Sequence, residues 1–179
     1  VNNLQISTKA DNSGMIKNEG AVSGIQNLTN TGVISGSGNL DISGTSTNTG
    51  SISQSIIKVS GTLDNTQGTF TATDKIENTG SITTVADKII ATNGIVNENS
   101  LTLTGGTLAS QVSGAGITNI IGTVTNSARI LQDVNVGSGG NLTVGANIGN
   151  LVNNGIVNSN TTNLTGTINN SGTLNLSGT

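Results

Sequence analysis

The chain has no cysteine, proline, histidine, tryptophan or tyrosine, and a single phenylalanine in 179 residues. Each absence removes a class of explanation. Without Cys there is no disulfide staple and no thiolate chemistry. Without Cys or His, zinc, haem and His-based or Cys-based catalysis have no ligands or bases. With one aromatic ring, the aromatic-anchored core of an ordinary globular domain cannot form. Charge is scarce too. Six basic and nine acidic residues leave a net charge of −3, which gives no cationic footprint for nucleic acid or anionic lipid. No run of about 18 apolar residues exists, so no membrane insertion by a helix of this segment is expected.

What is present is repetitive. Hydrophobic residues make up 32% of the chain, nearly all Val, Ile, Leu and Ala spread evenly among 26 Gly. That distribution argues against disorder and for a β-rich repeat. A short motif recurs: Asn, a small polar residue, Gly, then an aliphatic. It stands at Asn30-Thr31-Gly32, Asn48-Thr49-Gly50, Asn65-Thr66-Gln67-Gly68, Asn78-Thr79-Gly80, Asn154-Gly155 and Asn170-Ser171-Gly172, with further copies at Asn12-Ser13-Gly14, Asn18-Glu19-Gly20-Ala21-Val22 and Asn93-Gly94. Subtracting residue numbers, Gly32 to Gly50 and Gly50 to Gly68 are both intervals of 18, and Gly155 to Gly172 is one of 17. Gly68 to Gly80 is only 12, and Gly80 to Gly94 is 14.

Between these motifs aliphatics alternate with polar residues, as in Leu40-Asp41-Ile42-Ser43 and Leu101-Thr102-Leu103-Thr104. Alternation puts the aliphatics on one face of a short strand. A sandwich of hairpins could use Asn-Gly turns, but its turns need not recur in register with the following strand. A right-handed parallel β-helix, a β-solenoid of about ten circuits of roughly 18 to 25 residues, explains both features and implies a rod about 45 to 50 Å long. The motif is then a corner. Asn tolerates a left-handed turn and stacks by hydrogen bonding, and Gly supplies positive φ or room for a tight bend. A narrow interior explains the aromatic deficit, since large rings do not fit. The short intervals mean either that the motif marks different corners of one circuit or that the cross-section changes near 68–94.

The stretch Leu28 to Thr45, "LTNTGVISGSGNLDISGT", resembles the repeat of filamentous-haemagglutinin-type two-partner-secretion exoproteins, and its texture is similar to that of autotransporter adhesin passengers. The resemblance implies a segment, residues 1–179, of a longer secreted or bacterial cell-surface protein. Its implied role is adhesion or a virulence-associated stalk, with an unidentified host or cell-surface receptor or glycan as partner. A self-assembling extracellular fibre or surface layer that stacks end to end is the alternative, and a β-helical polysaccharide-active enzyme comes third.

No catalytic, cofactor or metal site is expected. Asp41, Asp64 and Asp87 follow one another at an even interval of 23 and could stack, but read more simply as solvated positions. Asp74-Lys75 and Asp87-Lys88 recur as exposed charge pairs. Gly36-Ser37-Gly38-Asn39-Leu40-Asp41 faintly resembles calcium-binding β-roll repeats, but supplies too few oxygens. Thr71-Ala72-Thr73 and Thr123-Val124-Thr125 raise an ice-binding reading, but that requires the pairs to repeat on one face in every circuit, which they do not; Thr reads more simply as a β-former that tolerates solvent. The weakened motif within 110–140 is where an irregular loop or bulge, and any local binding feature, is expected.

Overall fold

The computed structural model describes residues 5–20, 23–160 and 163–177; Ala21 and Val22, which close one motif copy, lie outside them. Every strand pairing among the described residues is parallel, and the strands stack into a β-solenoid of about nine turns. Short alternating segments punctuated by Gly cannot bury both faces alone, so each gains its partner from the circuit above and below.

Three faces run up the rod. Face 1 consists of Gln5–Ile6, Ser23–Gln26, Leu40–Ser43, Ile57–Val59, Ile76–Asn78, Ile95–Asn97 and Val112–Ser113. Above them it narrows to single bridges linking Val112, Ile130, Ile148 and Leu164. Face 2 is the longest, starting with Ala10–Asn12, Leu28–Asn30, Thr45–Asn48, Thr62–Asn65 and Ser81–Thr84. It continues through Ser100–Leu108, Ile117–Asn126, Asp133–Val136, Leu151–Asn153 and Ile168–Asn170. Face 3 begins as Met15–Lys17, Val33–Ser35, Ser51–Gln54, Thr69–Ala72 and Ile89–Ala91.

The column Asp11, Thr29, Thr47, Asp64, Thr83, Thr102, Asn119, Asn135, Val152 and Asn169 steps up face 2 one layer at a time. Its steps range from 16, between Asn119 and Asn135, to 19, the offset that also separates Asn65 from Thr84. The circuits are thus shorter than expected, because many corners are only one to three residues long.

The interior is a set of aliphatic columns. Leu40, Ile57, Ile76, Ile95, Val112, Ile130 and Ile148 stack behind face 1, all essentially inaccessible. One expectation fails here. Phe70 does fit, fully buried between Ile52 and Ile89 on face 3, where the small inward side chains of Ala72, Ala86 and Ala91 leave room for the ring.

The cross-section does change. Three residues separate Asn65 from Thr69 at the corner between faces 2 and 3, and four separate Thr84 from Ile89, three of them in the 3-10 turn Ala86–Lys88. One layer higher only Thr104 stands between Leu103 and Gly105, and face 2 runs straight into a new third face with a register shift there. The five-stranded sheet therefore ends at Ile89–Ala91. Its edge is closed locally: the Ala91 N–H donates to the Ser110 hydroxyl at 2.9 Å and the Ala91 carbonyl accepts from Gly94 N–H at 3.2 Å. Capping of this kind discourages strand addition.

Candidate functional site: buried amide ladders and a hydroxyl-bearing face

The corner residues stand at three different corners. Asn30, Asn48 and Asn65, with Gly32, Gly50 and Gly68, stand where face 2 turns into face 3, as do Asn170, Gly155 and Gly172. Asn78 and Gly80 stand between faces 1 and 2, and Gly94 between faces 3 and 1. The short motif intervals thus arise from different corners, and a changing cross-section accompanies them.

Most motif asparagines point inward, whereas Asn93 is exposed and donates to the Asp74 carboxylate at 2.8 Å. Asn30, Asn48, Asn65 and Asn78 are fully buried, and the first three form a ladder at the last inward position of their strands. The Asn12 amide donates to the Asn30 oxygen at 2.7 Å, Asn30 to Asn48 at 2.7 Å, Asn48 to Asn65 at 2.6 Å, and Asn65 to the Thr84 hydroxyl at 3.0 Å. The Asn12, Asn30 and Asn48 amides also reach a backbone carbonyl of the following circuit, as Asn48 does to Thr69 O at 3.0 Å. In the layer where this ladder ends, a second begins at the neighbouring corner, with Asn78 donating to Asn97 at 2.7 Å. Above Thr84 the first column is filled by Leu103, Ile120 and Val136. It resumes at Asn153, which donates to Asn170 at 2.7 Å. Asn154, one residue on, is exposed and occupies the place of Thr31, so the ladder member of that copy is Asn153.

The motif Asn does not supply the left-handed bend expected of it. Asn27, with φ of 52°, is the only described non-glycine residue at positive φ, and it belongs to none of the motif copies. The motif Asn is therefore selected for its buried amide, which is both donor and acceptor and can continue a column indefinitely. The motif Gly meets both expectations at different corners: a Cβ on Gly32, Gly50, Gly80 or Gly172 would lie 2.0 to 2.2 Å from a backbone oxygen of the layer below, whereas Gly94 sits at a positive φ of 93°.

Outward chemistry is mostly polar and weakly charged, with exposed aliphatics such as Met15, Ile121, Leu131 and Leu176 among it. Asp41 stands on face 1, Asp64 on face 2 and Asp87 in the 3-10 corner, so their even spacing in the chain, longer than any circuit, does not bring them together. Asp74-Lys75 and Asp87-Lys88 likewise sit at different corners. Lys58 and Lys75 both pair with Glu77, Lys9 pairs with Asp11 and Lys17 with Glu19. Among the described residues no three of His, Cys, Asp or Glu converge on a point. Ser37, in the glycine-rich stretch, donates its hydroxyl and its N–H to the Glu19 carboxylate one circuit below.

Those bonds, with the Lys17 ammonium, hold the Glu19 carboxyl down at about 2, against an ordinary value of 4.5. A depressed folded value means that its stabilising contribution is full above about pH 4.5 and is lost as the pH falls towards 2. A carboxyl titration followed by NMR should give a midpoint near 2. Ser37→Ala, which keeps the N–H but removes the hydroxyl, should move it part of the way back towards the ordinary glutamate range; an unmoved midpoint would show that the hydroxyl is not the cause.

Face 2 carries a regular surface pattern. Its outward pairs are Thr45 and Thr47, Thr62 and Asp64, Ser81 and Thr83, Ser100 and Thr102, aligned one above another through four layers. Seven of these eight positions bear hydroxyls, a repeat hidden in the sequence because Ser alternates with Thr and the circuits vary in length. Thr-x-Thr pairs do not recur in every circuit, as expected, since only Thr45 and Thr47 form one in these four layers; what recurs here is the hydroxyl, with Ser standing in for Thr. Within 110–140 the structure has the bulge at Ile121-Gly122, opposite Thr104, and a four-residue corner at Gly137-Ser138-Gly139-Gly140.

Two surface depressions on the rod are open and shallow. One, about 320 Å³, lies along Thr143, Asn158 and Asn175; the other, about 370 Å³, lies beside Glu98, Ile117 and Asp133. Comparison of the chain with family profiles, with characterised proteins and with solved structures gives no match in any of the three.

Proposed function

We propose that this segment is a rigid structural stalk of a secreted or cell-surface bacterial protein, holding an adhesive surface away from its anchor and engaging receptors or glycans through its flanks. The observation that carries this reading is the uninterrupted stack: one column of paired residues runs from Asp11 to Asn169 without leaving face 2. Nine steps along that column span about 43 Å at the spacing of neighbouring strands. The buried amide ladders oppose sliding between layers, as a spacer under tension requires. The secreted bacterial setting rests on the sequence resemblance alone.

Small-angle scattering over a concentration series tests the stalk. A rod of constant length supports it, whereas length growing with concentration would favour the end-to-end fibre. Beads coated with the chain test the adhesive part: retention on glycan or host-cell surfaces above that of uncoated beads supports it, and equal retention would remove adhesion and leave only the spacer.

A further inference from the structure

We infer that face 2, across the layers from Thr45 to Thr102, is a water-ordering surface that binds growing ice. Outward residues two apart on a strand are about 6.6 Å apart and successive layers are about 4.8 Å apart, close to the two repeats of water oxygens on a prism face of ice. Seven of the eight outward positions present hydroxyls, and Thr adds a methyl group that water must cage. The register is one-to-one through these layers, and the first shift falls just beyond, between Leu103 and Gly105.

Rigidity comes from behind. The inward residues between the outward pairs, Ser46, Leu63, Ile82 and Leu101, are buried, and the Asn48, Asn65 and Thr84 ladder ties the layers together along one edge. The single charge, Asp64, is held in place by the Thr66 N–H and hydroxyl. A near-neutral face disfavours ionic ligands. The only aromatic ring, Phe70, is buried, so none is available to stack on a sugar.

The test is partition of the full chain into slowly growing ice alongside a co-dissolved control protein, with ice-crystal shaping as a second readout. The wild type should be enriched in the ice. Thr83→Arg should fall to the control level, Ser113→Arg on face 1 should behave as wild type, and Asp64→Thr, which completes the array, should raise enrichment. Circular dichroism establishes that each variant keeps its β signature. Exclusion of the wild type from ice, or equal retention of wild type and Thr83→Arg, overturns the inference. If Thr83→Arg unfolds, the decision passes to Asp64→Thr, and a folded variant without increased enrichment overturns it equally.

Discussion

Asn48→Ala loses about 3 kcal/mol of unfolding free energy, a large effect for a side chain that contacts no ligand. The Asn48 amide donates to Asn65 at 2.6 Å and to Thr69 O at 3.0 Å, and accepts from Asn30 at 2.7 Å. Alanine strands these partners at a position with no solvent access, and each buried group left unpaired costs about 1 to 3 kcal/mol. Asn30 keeps weaker links to Gly32 O and Ser51 O at 3.3 Å, which limits the combined loss. Asn154→Ala is the control. This exposed asparagine lies outside the ladder, so its replacement should change stability by less than about 0.5 kcal/mol. Urea unfolding with an unchanged denaturant slope reads both values. Equal effects would show that the inward amide column contributes nothing special.

Gly50→Ala should be at least as damaging, about 3 kcal/mol or more, with misfolding the extreme outcome. Its added Cβ would lie 2.1 Å from Gly32 O and 2.7 Å from the Thr31 carbonyl carbon, both backbone atoms held by the layer below. Neither can rotate aside, so the two layers must separate at that corner. The same substitution at Gly14, in an equivalent corner of the lowest described layer, meets nothing within 4 Å. Gly14→Ala should therefore be neutral or slightly stabilising, within about 0.5 kcal/mol. Thermal and urea unfolding of the pair separate stacking contact from backbone conformation: if both variants lost stability equally, conformation and not the layer below would be the reason for glycine.

Much of the fold was legible because alternation and the Asn-Gly corner are local signals. Leu40-Asp41-Ile42-Ser43 shows its inward face in four letters, and the scarcity of aromatics fits a narrow interior. Four things were not legible. The same short corner motif serves three different bends, so Gly68, Gly80 and Gly94 look like one irregular repeat when they belong to three columns. Whether Asn30 turns inward or adopts a left-handed bend depends on the layer below it, which local sequence does not reveal. The face 2 hydroxyl array was missed because its rows lie a full circuit apart at uneven intervals and mix Ser with Thr, so only the strand register aligns them. The position of Phe70 escaped notice for a related reason: the alanines that accommodate it come from its own circuit and the next.

The central claim is that each circuit, whatever its length, adds one layer to a single straight stack. The lack of native cysteine makes a direct test simple, since cysteine pairs introduced at outward positions carry spin labels without competition. Thr29 labelled together with Thr83, Asn119 or Val152 samples separations of three, five and seven layers in one column. Pulsed electron resonance should give distances near about 14, 24 and 34 Å, rising in proportion to the number of layers. Distances that fail to increase along this series, as a folded-back sandwich of hairpins would give, would contradict the solenoid and everything inferred from it.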